Sequence, residues 1–426
     1  MAMTPHPDRA REAAIHILCR LREAGHTAFL AGGCVRDELL GLTPKDYDIA
    51  TDATPHMVRS YFPRTQEVGA AFGVVLVHVD SCTIEVATFR SDGPYSDRRR
   101  PDAVIFSDAR SDALRRDFTI NALFLDPLAE SPEARVIDYV HGVDDLRARV
   151  VRAVGNPHAR LAEDHLRALR AVRLSARLGF ELEDATAEAI RLHARELAGV
   201  SRERIGDELR RMLTHPSRAV AAWTLQYLGL DAPALNDRAN LNAPVRLGRI
   251  GDDTRYATAL AAWLFDRTGG EIGTGESAET ISRWRQSLCL TNEETTLFRG
   301  IVTDWRTLRR EWWNLGVARQ KRLSVRKEFL EALRILGTTE PEEFVRIRRR
   351  VEELRATPSG LAPAALVSGD DLVQWGYLPS PGFKVVLESV YDAQLEDRVR
   401  TAAEAAAFVQ ELASNPGVGL VRQKGH

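Results

Sequence analysis

Lysine is nearly missing from this 426-residue chain: only Lys45, Lys321, Lys327, Lys384 and Lys424 occur, so its 58 basic residues are almost all arginine. Arginine offers a planar fork of donors suited to phosphates and base edges. A GC-rich coding sequence would produce the same overall bias, so only position makes a single arginine informative. Cysteine is scarce too. Cys19, Cys34, Cys82 and Cys289 are scattered, with no metal-ligand or disulfide spacing, which excludes a disulfide scaffold and points to a reduced cytoplasmic protein. No run approaches the apolar length needed to cross a bilayer, so no membrane partner is expected. The opening MAMTPHPDRAREAA has no hydrophobic segment behind its first charges, which argues against a secretory signal. Net charge is only −2, which argues against indiscriminate nucleic-acid binding and leaves room for a local RNA footprint. No repeat of fixed period occurs.

What is present divides the chain. Up to about residue 150, short apolar runs alternate with turns. Ala28–Ala31 leads into Gly32-Gly33, while Gly73–Val79 and Thr83–Phe89 read as β-strands of a hairpin about an Asp-Ser turn. From about 158 onward apolar residues recur at three- and four-residue spacing, which predicts helices almost to the end. One of them is expected over 161–180, ending at Gly179, and the stretch 229–253 is expected to be loop. The fold class is therefore α+β: an N-terminal head with a small mixed sheet, followed by an extended all-helical remainder. The expected divisions are 1–150 for the head, 151–214 for a helical neck, 215–295 for a body and 296–426 for a tail.

The chemistry concentrates in FLAGGCVRDELLG (29–41) and KDYDIAT (45–51). A strand running into Gly32-Gly33 and then a helix aims backbone N–H groups at an anion, and Arg36 lies one turn further on. Asp46 and Asp48 are two apart on an expected strand, so both carboxylates project from one face. Such a pair can hold divalent cations that bridge an attacking hydroxyl and a nucleoside triphosphate. Glu85, mid-strand in TIEVATFR, is the candidate third carboxylate, the alternative being a plain charge on the solvent face of the hairpin. Further along, Asp164 and Arg167 are three apart in EDHLRALR (163–170), close enough on a helix for a plain intrahelical ion pair. They also suit base recognition. Cytosine and adenine each present an exocyclic amino donor beside a ring-nitrogen acceptor, which an Asp acceptor and an Arg donor complement. Guanine and uracil present the reverse and would leave polar groups unpaired. Arg170 and Arg173 continue the same stripe.

The combination GGxVRD, a short interval and DxD resembles the signature of class II CCA-adding tRNA nucleotidyltransferases and bacterial poly(A) polymerases, members of the DNA polymerase β superfamily. Residues 28–214 carry the likeness at the level of motifs. ATFRSDGPYSDRRRP (87–101) resembles the family's flexible loop, RRDFTINAL (115–123) its next motif, EDxxR its base-reading motif and SRERIGDELRRML (201–213) a neck motif that buttresses it. The resemblance implies a polymerase-β-like head with catalytic Asp46, Asp48 and Glu85, and Mg²⁺ on Asp46 and Asp48. It implies nucleotide binding by Gly32, Gly33, Arg36, Arg116, Asp164, Arg167, Arg170 and Arg173, with Asp117 orienting its neighbours. Arg202, Arg204, Arg210 and Arg211 are read as mainly structural.

It further implies CTP and ATP as substrates, the acceptor arm and 3′ end of tRNA as partner, and no protein partner. Basic clusters at 306–310, 318–326 and 346–350 could follow tRNA phosphates; nearby Trp305, Trp312 and Trp313 could stack on it or fill the core. The flexible loop looks complete at 90–101, which favours competence for the terminal A. VGAAFGVVLVH (68–78) lacks the paired basic residues expected of a poly(A) polymerase. No His-Asp dipeptide marks a phosphohydrolase domain. An A-adding enzyme of a split system stays open beside the full CCA enzyme. A non-catalytic tRNA-binding module would be expected to lose Asp46 and Asp48. A nucleotidyltransferase for small molecules would leave EDxxR and the helical remainder unexplained.

Overall fold

This computed structural model describes residues 7–67, 73–93, 104–415 and 418–422, arranged as two compact units. The first comprises residues 1–241 with 286–289, the second 242–285 with 290–426. No helix among the described residues is long and apolar enough to cross a membrane.

The first unit opens with α1 (Pro7–Glu23), β1 (Ala28–Ala31), α2 (Gly33–Leu39), β2 (Asp48–Thr51), α3 (Pro55–Tyr61), β3 (Thr65–Glu67), β4 (Val74–Val79) and β5 (Cys82–Thr88). Then come β6 (Arg90–Asp92), β7 (Val104–Phe106), α4 (Ala109–Leu114), β8 (Phe124–Leu125), α5 (Pro132–Arg135), β9 (Val136–Ile137), α6 (Gly142–Ala148) and β10 (Val150–Val151). A seven-stranded sheet has the order β3-β4-β5-β2-β1-β8-β9. It is mixed: β2 runs parallel to β5, and every other neighbouring pair is antiparallel. The β4–β5 hairpin turns at Asp80-Ser81, where Asp80 takes φ 51°, a left-handed conformation that aspartate tolerates better than most residues.

Strand periodicity decides what each face does. On β2 and β5, Ile49, Ile84 and Val86 are buried, and α1 packs across β1, β2 and β5 with Ala14, Ile17, Leu18 and Leu21 fully buried. Each of those larger side chains contributes about 1.5–3 kcal/mol on burial. The alternate residues, Asp48 and Glu85, come out on the opposite face. The apolar run therefore builds the core while the interleaved carboxylates are delivered to the other side.

The helices that complete the first unit, called the neck below although they run past the expected bound at 214, are α7 (Pro157–Glu163), α8 (Leu166–Leu178), α9 (Asp184–His193), α10 (Arg202–Leu213), α11 (Arg218–Tyr227) and α12 (Asp231–Leu235), with the short strand β11 (Glu181–Leu182) among them. The single helix expected over 161–180 is in fact two. The chain leaves helical geometry at Asp164 (φ −156°, ψ 104°) and restarts at Leu166, then stops at Gly179 with φ 65° as anticipated. Neck helix α10 lies so close to the 286–289 segment that a Cβ on Gly206 would sit 2.4 Å from the carbonyl oxygen of Leu288, which only glycine avoids.

The second unit is helical: α13 (Val245–Arg249), α14 (Tyr256–Arg267), α15 (Thr274–Ser287, whose last residues belong to the first unit), α16 (Asn292–Arg310), α17 (Val317–Ser324), α18 (Lys327–Gly337), α19 (Pro341–Arg355), α20 (Gly369–Gln374), α21 (Gly382–Leu395) and α22 (Ala402–Ala413). The stretch expected as loop, 229–253, thus carries the short helices α12 and α13. Every residue of α14 is buried. Phe265 stacks on Trp305 at 4.3 Å between centroids, so Trp305 and Trp312 are core, whereas Trp313 is exposed and donates to Glu343. Lys321 is fully buried and donates to Thr357, Ser359 and the carbonyl of Leu395. Many arginines of the basic clusters are paired internally, among them Arg309 and Arg310 with Glu271, Arg322 with Asp392 and Arg346 with Glu343.

Candidate active site

A cleft of about 990 Å³ opens between the carboxylate face of the sheet and the neck helices of the first unit. Every residue singled out above as catalytic or nucleotide-binding lines it: Gly32, Gly33, Arg36, Asp46, Asp48, Glu85, Arg116, Asp164, Arg167, Arg170 and Arg173.

At the head wall, Gly32 takes φ 78° and ψ −129°, a conformation that favours glycine, and a Cβ there would lie 3.0 Å from Arg116 Nη1. It leads straight into α2, whose first N–H groups have no intrahelical acceptor and no side-chain cap. Arg36, read as a triphosphate contact, is buried and held by Asp37 Oδ1 at 2.6 and 2.8 Å and by Asn121. Its position is therefore fixed before any ligand arrives. Arg116 is clasped by Asp112 at 2.9 and 3.1 Å and donates to the carbonyl of Asn121. Asp112 itself is 1% exposed. Burial works to raise its pKa, and Arg116 and Arg115 overcome that, leaving the carboxyl below its ordinary range.

Asp48 opens β2, while Asp46 sits in the loop just ahead of it rather than on the strand as expected. Tyr47 between them is buried and donates to Glu38, which turns its neighbours the other way. Across the parallel pair, Asp48 stands in register with Glu85. Burial, then Glu85 and Asp46, push the Asp48 carboxyl up to about 7. Burial and Asp46 likewise raise Glu85. Among the described residues, no side-chain cation lies at ion-pair distance from Asp46, Asp48 or Glu85. This donor set fits a hard divalent cation, which takes oxygen ligands and would relieve the crowding of negative charge. The described carboxylates are not gathered into a closed three-ligand cage. An open set leaves coordination positions for water and substrate oxygens.

The neck wall is built from ion pairs. Asp164 does not pair with Arg167, so the plain intrahelical reading fails. Its carboxylate instead receives Arg204 of α10 in a fork at 2.6 and 3.2 Å and accepts from Leu166 N at 3.1 Å. Arg167 is held by Glu163 and donates to the carbonyls of Arg160 at 2.6 Å and Arg115 at 3.4 Å. A carboxylate accepts up to four hydrogen bonds and a guanidinium donates five, so both residues keep capacity for a ligand. Arg170 binds Asp117 at 2.6 and 2.7 Å, and Arg173 binds Glu208 at 2.6 Å. Burial alone would raise Asp117, but Arg170, Arg167 and Asn121 outweigh it and hold the carboxyl at about 2.

The cleft is also lined by Lys45, Arg90, Arg115, Asn121, Arg177 and Arg211, which sequence reasoning did not place there as ligand contacts. Arg177 falls on the same i, i+3, i+7 stripe of α8 as Arg170 and Arg173, so that periodicity could have found it. Of the loop read as 87–101, residues 94–101 lie outside the described residues, as do 68–72 of the stretch 68–78.

Comparison with known proteins identifies the family. The Poly A polymerase head domain matches residues 28–152, and the family described as "Probable RNA and SrmB- binding site of polymerase A" matches 179–233. The CCA-adding enzyme of Lacticaseibacillus paracasei is 33% identical over 396 residues, covering 92% of each chain. That of Geobacillus stearothermophilus is 32% identical over 400 residues, covering 92% of this chain and 95% of the other. The crystal structure of the Bacillus stearothermophilus CCA-adding enzyme in complex with CTP aligns with a TM-score of 0.76 at 27% identity, over 96% of this chain and 98% of that one. This chain belongs to the CCA-adding enzyme family, nucleotidyltransferases of the DNA polymerase β superfamily.

Proposed function

We propose that this chain builds or repairs the 3′-terminal CCA of tRNA from CTP and ATP without a nucleic-acid template, releasing diphosphate. One observation carries the reading: a carboxylate set that suits divalent cations and a carboxylate–guanidinium pair that suits C and A line the same cleft. The nucleotide base lies against Asp164 and Arg167, Asp164 accepting from the exocyclic amine and Arg167 donating to the ring nitrogen. Glu163 and Arg204 hold that pair in place, so selection needs no reorganisation when the nucleotide binds. The triphosphate lies along the Gly32-Gly33 turn, with Arg36, Arg116, Arg170 and Arg173 around it. Asp46 and Asp48 would hold Mg²⁺, with Glu85 completing the site. When bound, the metal supplies activation of the tRNA 3′-hydroxyl and charge neutralisation at the α-phosphate. The four cysteines are unpaired, in keeping with a reducing cytoplasm.

Within the family, the sequence at 90–101, which keeps the full length of the flexible loop, supports addition of the final A. An A-adding enzyme of a split system is the second reading, since the base-reading pair accepts A in both. The test supplies Mg²⁺, CTP and ATP, singly and together, with tRNA transcripts ending at the discriminator base, at C and at CC. Full CCA on the first transcript is expected. A single A on the CC transcript alone would identify the split system, and long A tails on any RNA would overturn the tRNA reading.

A further inference from the structure

We propose that Arg211 holds the last phosphate of the acceptor RNA and so positions its 3′-hydroxyl, an inference that rests on reading the cleft as a tRNA nucleotidyltransferase site. The argument is one of charge accounting. Arg36, Arg115, Arg116, Arg167, Arg170, Arg173, Arg177 and Arg204 all line the cleft, and each is paired with a carboxylate. Their charge is largely spent on holding the site together. Arg211 also lines the cleft and is exposed, and among the described residues no hydrogen bond or ion pair engages it.

Its helix explains why. Along α10, Arg204, Glu208 and Arg211 fall at i, i+4 and i+7 and share one face. Arg204 is committed to Asp164, and Glu208, the natural partner one turn before Arg211, is committed to Arg173 at 2.6 Å. Asp207, four residues back, makes no ion pair with Arg211. The helix thus ends on a cation whose local counter-charges are used elsewhere or turned away. Such a residue suits a ligand anion, and Arg is the side chain whose fork matches phosphate.

Position selects RNA as the source of that phosphate. Arg170 and Arg177 of α8 reach back to Asp117 and Asp37 in the head, so the space they bound belongs to the nucleotide. Thr214, His215, Ser217 and Ala221, in and after the turn that follows Arg211, line the cleft on the side formed by α10 and α11, whose main packing partners are other neck elements. An acceptor end lying along that wall would bring a phosphate to Arg211. Lys45, another cleft cation, makes no hydrogen bond or ion pair among the described residues, but it flanks Asp46 and falls on the nucleotide side.

The test compares the full-length wild type with Arg211→Ala and Arg211→Lys, using a CC-ending tRNA with ATP and a discriminator-ending tRNA with CTP. Arg211→Ala should raise KM for tRNA about tenfold, the size expected for one charge-assisted hydrogen bond. KM for ATP and CTP should stay within about twofold. Arg211→Lys should recover part of the loss. The salt dependence of tRNA binding should fall by about 0.7 in log–log slope, the value for one single-strand phosphate. A CC-ending tRNA with a neutral methylphosphonate at its last linkage should cost the wild type what Arg211→Ala costs, and cost the variant nothing more. Arg211 is exposed, and an unchanged Tm will show that the fold is intact. A rise in the nucleotide KM with tRNA unaffected would assign the residue to the triphosphate, and unchanged kinetics would make it a solvated surface arginine. Either overturns the inference while the proposed function stands. A wild type that extends no tRNA would overturn that function, and the inference with it.

Discussion

On the head side of the cleft, Asp46, Asp48 and Glu85 stand without a described cationic partner, and burial with mutual repulsion pushes Asp48 up to about 7. On the neck side, Asp164, Arg167, Arg170 and Arg173 are each tied to an opposite charge at hydrogen-bond distance. One wall leaves its charge unspent and the other spends it. The contrast suits two jobs. A metal site must keep negative charge in reserve for an incoming cation, whereas a base reader without a template must hold its donors and acceptors in one arrangement before the nucleotide arrives.

That comparison can be broken from either side. The largest effect is expected at the unspent wall. Asp46→Ala should lower incorporation on the order of 10³-fold or more while tRNA binding, read by a filter or fluorescence assay, survives. Retention of more than a few per cent of activity would remove Asp46 from the catalytic set. The next effect lies at the held wall. Arg204→Ala should free Asp164 and cost about 10–100-fold in kcat/KM, as loss of an orienting partner does at other sites. Misincorporation of G and U should rise with it, and Arg204→Lys should restore part of the selectivity. A fall in rate with selectivity intact would make Arg204 a packing residue only.

The smallest effect should come from Asp117→Asn. Removing the carboxylate that holds Arg170 should cost about 1–2 kcal/mol, less than a fully buried pair because Arg170 is 38% exposed. The sign with pH follows from the depressed carboxyl. Its folded pKa is about 2, below the ordinary value near 3.9, so its stabilisation is present above pH 4 and is lost as pH falls toward 2. The variant should therefore lose less stability than the wild type between pH 4 and 2 in an acid unfolding series. Parallel curves would contradict the pairing.

Local signals in the sequence reached far into this site. Gly32-Gly33 and the β4–β5 hairpin depend on turn chemistry and strand alternation, which adjacent residues specify, whereas Asp46, expected on a strand with Asp48, lies in the loop before β2. The helices after 158 were legible because their apolar faces repeat at 3.6 residues. The break at Asp164 was not, since the apolar periodicity runs through it and no Gly or Pro marks it. The fork from Arg204, forty residues away, accompanies the break. Partner choice escaped for the same reason. Arg36 is read from sequence as nucleotide-binding, and the hold that Asp37 and Asn121 keep on it was not part of that reading. Asp112, the buried clasp of Arg115 and Arg116, stands three and four residues before them, a helical spacing that sequence reading could have used. Where the partner is distant, as Arg204 is for Asp164, Asp117 for Arg170 and Glu208 for Arg173, no spacing rule reports it.

The most direct test of the account measures kcat/KM for CTP, ATP, GTP and UTP on tRNA ends, for the wild type and for Asp164→Asn. An asparagine amide can present either an acceptor or a donor to the base. The account predicts that preference for C and A over G and U falls at least about tenfold, with incorporation still readily detected. An unchanged preference in an active Asp164→Asn enzyme would mean that the base is read elsewhere in the cleft.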